Sequence, residues 1–351
     1  MLDKSQSQSV TEDGAAIQAG RDIVVTNVGL SYAEVRTVAL DVYKSNAIEL
    51  AGIAAATANS RVEEFTESFL ARLLRENPQG VSNFTDPDFL NGLFKAQNEY
   101  ARSGDKDLES LLVDLLTDRS KQQRKGLLKI VLNESLETVA KLTDSQLASI
   151  TLIFLLRYRI DQGISTEKKL GEFLDESIGA YLGKLSSGVA DFQHLEYARC
   201  GKVETGTISL EHLFTENFRG LFSKGFELDK VSARRIDANR CQRFFCRCLN
   251  DPLRLQISAL NMDVLQQMFA ADSLDEHHRK QIEELYRGNP LGELEVREKC
   301  TTLRPYMKDV FHTWSNTSFN KFTLTSVGIA IAHANARRTM ANVGDLAIWI
   351  N

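Results

Sequence analysis

"LASITLIFLLRY", residues 147–158, contains the longest apolar run of the chain. Thr143 and Gln146 precede it at the spacing of a helix N-terminal capping box, in which each side chain bonds the backbone of the other residue. A helix that is apolar on every face is expected to be buried on every face. We therefore predict that this stretch is the central helix of the hydrophobic core.

The overall composition predicts a cytoplasmic protein without membrane contact. The net charge is −5, and the 5 cysteines form no regular disulfide framework. The N-terminal "MLDKSQSQSVTEDG" lacks the basic and then apolar layout of a signal peptide. Residues 147–156 are too few to span a bilayer. A nucleic acid or other polyanion would therefore need a local basic patch.

Apolar residues at steps of three and four predict helices along most of the chain. A long helix is predicted from Ser31 to Glu76, with Ser31 and Glu34 as its capping box. Asp86, Pro87 and Gly104 are typical of the two ends of the next helix. Further helices are predicted at about 108–118, 126–132, 167–182, 209–215, 231–249, 260–270 and 276–287. The predicted fold class is mainly α, a multi-helix bundle.

The two ends of the chain predict short β segments. Residues 22–28 are β-like. The C-terminus predicts a strand at 321–324, a helix capped by Thr325 and a strand at 346–350, which resembles the end of a winged-helix unit. A β-hairpin through "SVGIAIAHA" (326–334) is the alternative. The resulting organisation is an N-terminal tail and β segment (1–30), a helical domain (31–310) and a small α/β unit (311–351).

The N-terminal β segment has two interpretations. It can be the third strand of a small sheet that includes residues 321–324 and 346–350. It can instead pair with strands of neighbouring chains, because an isolated strand leaves its edges unsatisfied and is unstable. The first interpretation predicts no assembly, whereas the second predicts a homo-oligomer.

Familiar catalytic and cofactor motifs are absent from the sequence. It contains no G-x-x-x-x-G-K-[ST] phosphate loop, no G-x-G-x-x-G fingerprint and no G-x-S-x-G nucleophile elbow. Cys241, Cys246 and Cys248 lack the paired C-x2-C spacing of zinc sites, and we expect free thiols. We therefore predict no metal and no cofactor and favour a non-enzymatic protein, while an unrecognised catalytic site stays open.

Arginines recur at steps of three and four on the predicted helix 231–249. Guanidinium groups bind phosphates and carboxylates with two hydrogen bonds, so this stripe predicts a site for RNA, DNA or an acidic partner. The alternative is a solvated face paired with nearby acids such as Asp237 and Asp251. The candidate binding residues are Arg240, Arg243, Arg247 and Arg254.

A second candidate cluster lies in "HLEYARC". This segment, which we predict to be a loop, combines titratable side chains in a way that packing does not require. The alternative is a structural role, with His194 and Tyr197 bonded to nearby backbone. The candidate residues for an unrecognised enzymatic site are His194, Glu196, Tyr197 and Cys200.

Several strings resemble a family of uncharacterised bacterial proteins over nearly the whole chain. They include "DPDFLNGLFKAQNEYARSGDKDLESLLVDLL", "ITLIFLLRY", "HLEYARCG" and the ending "LAIWIN". This resemblance implies no activity and assigns no catalytic residue. Separately, "IQAGRDIVV" (17–25) is similar to short β segments that precede helices in bacterial proteins associated with phage defence.

Together these observations predict a self-associating interaction or sensing module in the bacterial cytoplasm, which binds another copy or a protein partner. The local resemblance of residues 17–25 implies a role in anti-phage defence. The alternative is a nucleic-acid-binding protein that uses the winged-helix-like C-terminus and the arginine stripe.

Overall fold

The computed structural model describes residues 31–45, 53–159, 163–186, 188–340 and 342–350. The described chain is mainly α-helical, as predicted. Its α-helices are α1 (Tyr32–Ser45), α2 (Ile53–Glu76), α3 (Pro87–Ser103), α4 (Lys106–Ser120), α5 (Leu127–Thr138), α6 (Asp144–Arg157), α7 (Glu167–Ser177), α8 (Val189–Tyr197), α9 (Leu210–Asn217), α10 (Asp229–Ala233), α11 (Met262–Ala270), α12 (Glu276–Arg287), α13 (Glu293–Leu303), α14 (Met307–Asn316) and α15 (Ser326–Ala336). Its strands are β1 (Gly201–Val203), β2 (Phe245–Arg247), β3 (Leu255–Ile257) and β4 (Phe322–Leu324).

Several helix ends lie where the local sequence predicts them. The side chains of Thr143 and Gln146 form the predicted capping box of α6. Asp86 caps α3, and Gly104 ends it in the left-handed conformation. The predicted helix over 31–76 is present as α1 and α2, on either side of residues 46–52, which lie outside the described residues.

The central position of α6 is confirmed, because every residue from Gln146 to Leu156 is buried. Its main neighbour is α15, in which every residue from Gly328 to Ala336 is buried. Helices α4 and α5 also pack against α15. Two apolar helices in contact therefore form the centre of the main core.

Among the described residues, buried hydrophobic side chains form one large core, a smaller core, and a third cluster of five residues from α1, α2 and α3. The large core extends from Val35 to Ile350 and includes Phe311, Phe322 and Leu346 of the C-terminal segment. The smaller core lies between Phe226 and Tyr286. The described residues between 311 and 350 therefore contribute to the same core as the helices before residue 310.

The C-terminal sheet differs from the predicted one. The predicted strand at 321–324 is β4, which pairs antiparallel with β1, with Gly201 opposite Leu324. The predicted strand at 346–350 is wrong, since Leu346–Ile348 is a 3-10 helix. The Asp345 side chain accepts a hydrogen bond from the Ala347 amide and thereby begins this turn. The alternative hairpin through 326–334 is also wrong, because these residues form α15. The predicted strand 22–28 lies outside the described residues.

The predicted helix over 231–249 is also wrong. Helix α10 ends at Ala233, and Arg235 adopts a positive φ of 56°. The chain then turns so that Ile236 and Phe244 enter the smaller core. It continues as β2, which pairs antiparallel with β3. Pairing of residues 245–247 with β3 requires extended backbone, which one continuous helix cannot provide.

Candidate functional site

The predicted arginine stripe does not lie on a helix, although its members remain near one another. Arg240 pairs with Asp275 at 3.5 Å and Arg243 with Asp272 at 3.2 Å. Both guanidinium groups therefore bind the loop that precedes α12. The Arg240 guanidinium also donates a 2.8 Å hydrogen bond to the Ser273 carbonyl. The Arg243 guanidinium donates a 3.1 Å hydrogen bond to the Met268 carbonyl.

The other two arginines lie on the β2–β3 hairpin. Arg254 pairs with Asp251 at 3.4 Å. Arg247 is exposed on β2 and has no ion-pair partner among the described residues. The structure thus places Arg240, Arg243 and Arg254 in ion pairs with local acids, and Arg247 alone presents its charge without one. Binding of a polyanion by these residues stays a prediction.

The residues of "HLEYARC" form the end of α8 and the turn that leads into β1, so the predicted loop is only the last part of this segment. His194 lies in α8 and makes a 3.1 Å hydrogen bond with the Gln146 side chain. Tyr197 ends α8 with 83% of its surface exposed. Cys200 is fully buried before β1, and burial raises the pKa of its thiol to about 12. A thiol in this environment is a poor nucleophile.

Glu196 protects the outer edge of β1. Its Oε1 atom accepts a 2.7 Å hydrogen bond from the backbone amide of Val203. The Glu204 amide donates to the Lys321 carbonyl and therefore points towards β4. Because successive amides of a strand point to opposite sides, the Val203 amide points away from β4. Glu196 therefore occupies a position that another strand would need, which favours the structural interpretation of this residue.

The outer edge of β4 is protected in the same way. Arg157 Nη1 donates a 2.7 Å hydrogen bond to the Phe322 carbonyl. The Leu324 amide donates a 2.8 Å hydrogen bond to the Tyr158 hydroxyl. Side chains thus occupy backbone groups on both outer edges of the β1–β4 sheet.

A shallow cleft surrounds the exposed Tyr197. Glu134, Glu137 and Lys141 line it together with Arg199, and its volume is about 280 Å³. Arg199 adopts a positive φ of 60° at the end of α8. The Arg199 amide donates a hydrogen bond to the Glu196 carbonyl, and the Cys200 amide donates one to the Leu195 carbonyl. These two bonds form a Schellman motif. Arginine therefore occupies a position that favours glycine.

A larger polar cleft, which sequence reasoning missed, lies where α2, α4 and the end of α15 meet. We call it the α2–α4–α15 cleft, and its volume is about 540 Å³. It is lined by Arg72, Glu76, Ser110, Asp114, Arg337, Arg338 and Met340. The carboxylate of Asp114 within the leucine-rich "LLVDLL" was the sequence signal that could have indicated it.

Asp114 is the deepest charged group of this cleft and is only 2% exposed. Arg72 Nη2 lies 3.1 Å and Arg337 Nη2 lies 3.6 Å from its Oδ1 atom. Burial raises the pKa of Asp114, although the guanidiniums of Arg337 and Arg72 oppose the shift. Arg72 also bonds Glu76 at 2.8 Å, and Arg337 bonds Asp118 at 3.2 Å.

The comparison with known protein families addresses the whole chain. One family model matches residues 29–350. The chain belongs to that family. This membership confirms the whole-chain resemblance, and the family is one of uncharacterised proteins. No curated protein and no solved structure matches the chain.

Two further findings concern metals and membranes. Within the described ranges, no group of three or more histidine, cysteine or acidic side chains is arranged to hold a metal ion. In the same part of the chain, no helix combines the length and apolar character needed to span a membrane.

Proposed function

We propose that this protein is a self-associating interaction or sensing module of the bacterial cytoplasm, whose N-terminal β segment pairs between chains. The protected edges of the β1–β4 sheet support this proposal. Arg157 and Tyr158 occupy backbone groups of β4, and Glu196 occupies one of β1. A third strand from residues 22–28 would have to displace these contacts, which favours pairing of that segment with another copy.

Light scattering after size exclusion tests this proposal on the full chain. We expect an oligomer for the unaltered protein and a monomer for Val25→Pro, because proline removes a hydrogen-bond donor from a strand ladder. Val10→Pro, outside the β segment, is the matched control and should leave the oligomer intact. A full chain that stays monomeric at high concentration would contradict self-association. An oligomer that persists in Val25→Pro would contradict the role of the β segment.

We also propose that this assembly acts in defence against phage, the context that the resemblance of residues 17–25 implies. Plaque counts on bacteria that express the protein, the Val25→Pro variant or neither would test this role. We expect fewer plaques with the unaltered protein only. Equal counts on all three strains, with several unrelated phages, would argue against it.

Nucleic-acid binding is the second candidate function, and the unpaired charge of Arg247 favours it. Arg240 and Arg243 lie in the same region, but each already pairs with an aspartate. If this function is real, a labelled duplex DNA or single-stranded RNA should bind at low salt and dissociate at high salt. Replacing Arg240, Arg243 and Arg247 by alanine should then abolish binding. No binding at low salt would eliminate this candidate.

A further inference from the structure

The α2–α4–α15 cleft contains buried polar atoms that lack hydrogen-bond partners. Asp114 Oδ1 and Arg337 Nη2 are both buried, and although Arg72 Nη2 forms an ion pair with Oδ1 at 3.1 Å, neither buried atom makes a contact with hydrogen-bond geometry among the described residues. They lie 3.6 Å apart, within ion-pair distance. Buried polar groups in folded proteins are almost always hydrogen-bonded, so each such atom requires an explanation. A ligand that accepts from Arg337 and donates to Asp114 would satisfy both atoms.

The charges of the cleft have both signs. Its lining includes the guanidiniums of Arg72, Arg337 and Arg338 and the carboxylates of Glu76 and Asp114. A purely anionic ligand would meet the two carboxylates, and a purely cationic ligand would meet the three guanidiniums. A small zwitterion can place each of its charges next to the opposite charge of the protein.

The chemistry of the side chains indicates how such a ligand would be oriented. Guanidinium groups bind carboxylates with paired, charge-assisted hydrogen bonds. Arg337 and Arg338 directly follow α15 and pair with Asp118 and Asp107, respectively. Their side chains are still 23% and 28% exposed. Asp114 lies deeper, with a side chain that is 4% exposed. A carboxylate would therefore bind near the two arginines, and an ammonium group would reach Asp114.

We propose that the α2–α4–α15 cleft binds a small amino-acid zwitterion, with its carboxylate on Arg337 and Arg338 and its ammonium group on Asp114. The cleft volume of about 540 Å³ is sufficient for a free amino acid. The thioether of Met340 and the hydroxyl of Ser110 are the other lining groups that a side chain of the ligand would contact.

Thermal unfolding of the full chain, followed by calorimetric titration, tests this proposal. The probes are the standard L-amino acids, tested individually, with sodium acetate, methylammonium chloride and inorganic phosphate as single-charge probes. We expect at least one amino acid to raise the melting temperature in proportion to its occupancy, whereas the single-charge probes do not. If no amino acid binds, or if acetate and phosphate stabilise equally well, the proposal is wrong.

Two variants locate the site. Asp114→Asn keeps the shape of the side chain but removes its charge, and Arg338→Gln removes a partly exposed guanidinium. We expect each to raise the dissociation constant of the amino acid by about tenfold or more. Arg102→Gln is the matched control, because within the described part of the chain its guanidinium pairs only with Glu99 on the same helix, and it does not line the cleft. Unchanged affinity in folded Arg338→Gln would overturn the assignment, even if Asp114→Asn does not fold.

This proposal does not depend on self-association. The cleft is formed within one chain, so Val25→Pro should bind the amino acid as tightly as the unaltered protein. Asp114→Asn should lose amino-acid binding and keep the oligomer, whereas Val25→Pro should keep binding and lose the oligomer. These opposite results would distinguish the two proposals.

Discussion

The hydroxyl of Tyr158 accepts a 2.8 Å hydrogen bond from the backbone amide of Leu324. Tyr158 directly follows α6, and Leu324 is the last residue of β4, so this bond joins the central helix to the outer edge of the sheet. Burial raises the pKa of Tyr158, which keeps its hydroxyl protonated. The edge of β4 is therefore closed by the same helix that forms the centre of the core.

Tyr158→Phe should open this edge. The Leu324 amide would lose its acceptor while remaining largely buried, which is expected to lower the free energy of unfolding by about 1–3 kcal/mol. Urea denaturation measures this loss, and hydrogen exchange should show faster exchange at Leu324. Tyr197→Phe, at an exposed hydroxyl, is the control and should change neither quantity. Unchanged exchange at Leu324 would show that the bond does not protect the edge.

Gly328→Ala should be among the most destabilising single substitutions. A β-carbon at position 328 would overlap the Cys200 carbonyl oxygen, which also accepts a hydrogen bond from the amide of Thr325. The backbone of α15 would have to move away from β1, and we expect a loss of about 3 kcal/mol or more in the free energy of unfolding. Gly179→Ala is the control, because a β-carbon there meets no atom within 4 Å. Equal melting temperatures for the two variants would refute this explanation.

Arg199→Gly should stabilise the protein. Arg199 has a φ of 60°, a conformation that glycine adopts without the steric cost of a side chain. Its contact with Glu134, at 3.8 Å between largely exposed groups, contributes little to stability. We expect the free energy of unfolding to rise by about 0.5–1 kcal/mol in urea denaturation. Ala198→Gly, at the preceding residue with negative φ, should instead destabilise. A destabilised Arg199→Gly would indicate that the Arg199 side chain makes a stronger contact.

Helix ends were predictable because their causes are local. Thr143 and Gln146 determine the start of α6 through contacts three residues apart. The burial of α6 was predictable because its composition leaves no polar face. The partner strand of β4 was not, because Gly201 appears as a break in the sequence until its pairing with Leu324 is known.

The arginine spacing was misleading for a related reason. Steps of three and four occur at Arg240, Arg243 and Arg247 although the chain there is a turn, a 3-10 helix and a strand in succession. The smaller core, which buries Phe244 and Ile257, determines this path. The α2–α4–α15 cleft needs residues distant in sequence, since Arg337 and its partner Asp118 are 219 residues apart. Only the buried charge of Asp114 gave a local signal.

His333 is the buried histidine of α15. Its Nε2 atom bonds the Gly344 carbonyl at 2.9 Å, and its Nδ1 atom has no hydrogen-bond partner among the described residues. Burial lowers the pKa of His333, and the positive charge of Arg337 acts in the same direction, while Asp118 opposes it. The folded protein therefore contains the neutral imidazole, whereas the unfolded chain takes up a proton near pH 6.5.

Stability should consequently decrease as the pH falls below about 6.5, because the unfolded state then binds one more proton than the folded state. The slope attributable to His333 is at most about 1.4 kcal/mol per pH unit and vanishes above pH 7 or so. Urea denaturation between pH 8 and pH 5 measures it, with His333→Gln expected to reduce the slope. His312→Gln, at an exposed histidine, is the control. If His333→Gln keeps the slope of the unaltered protein, another group is responsible for the acid sensitivity.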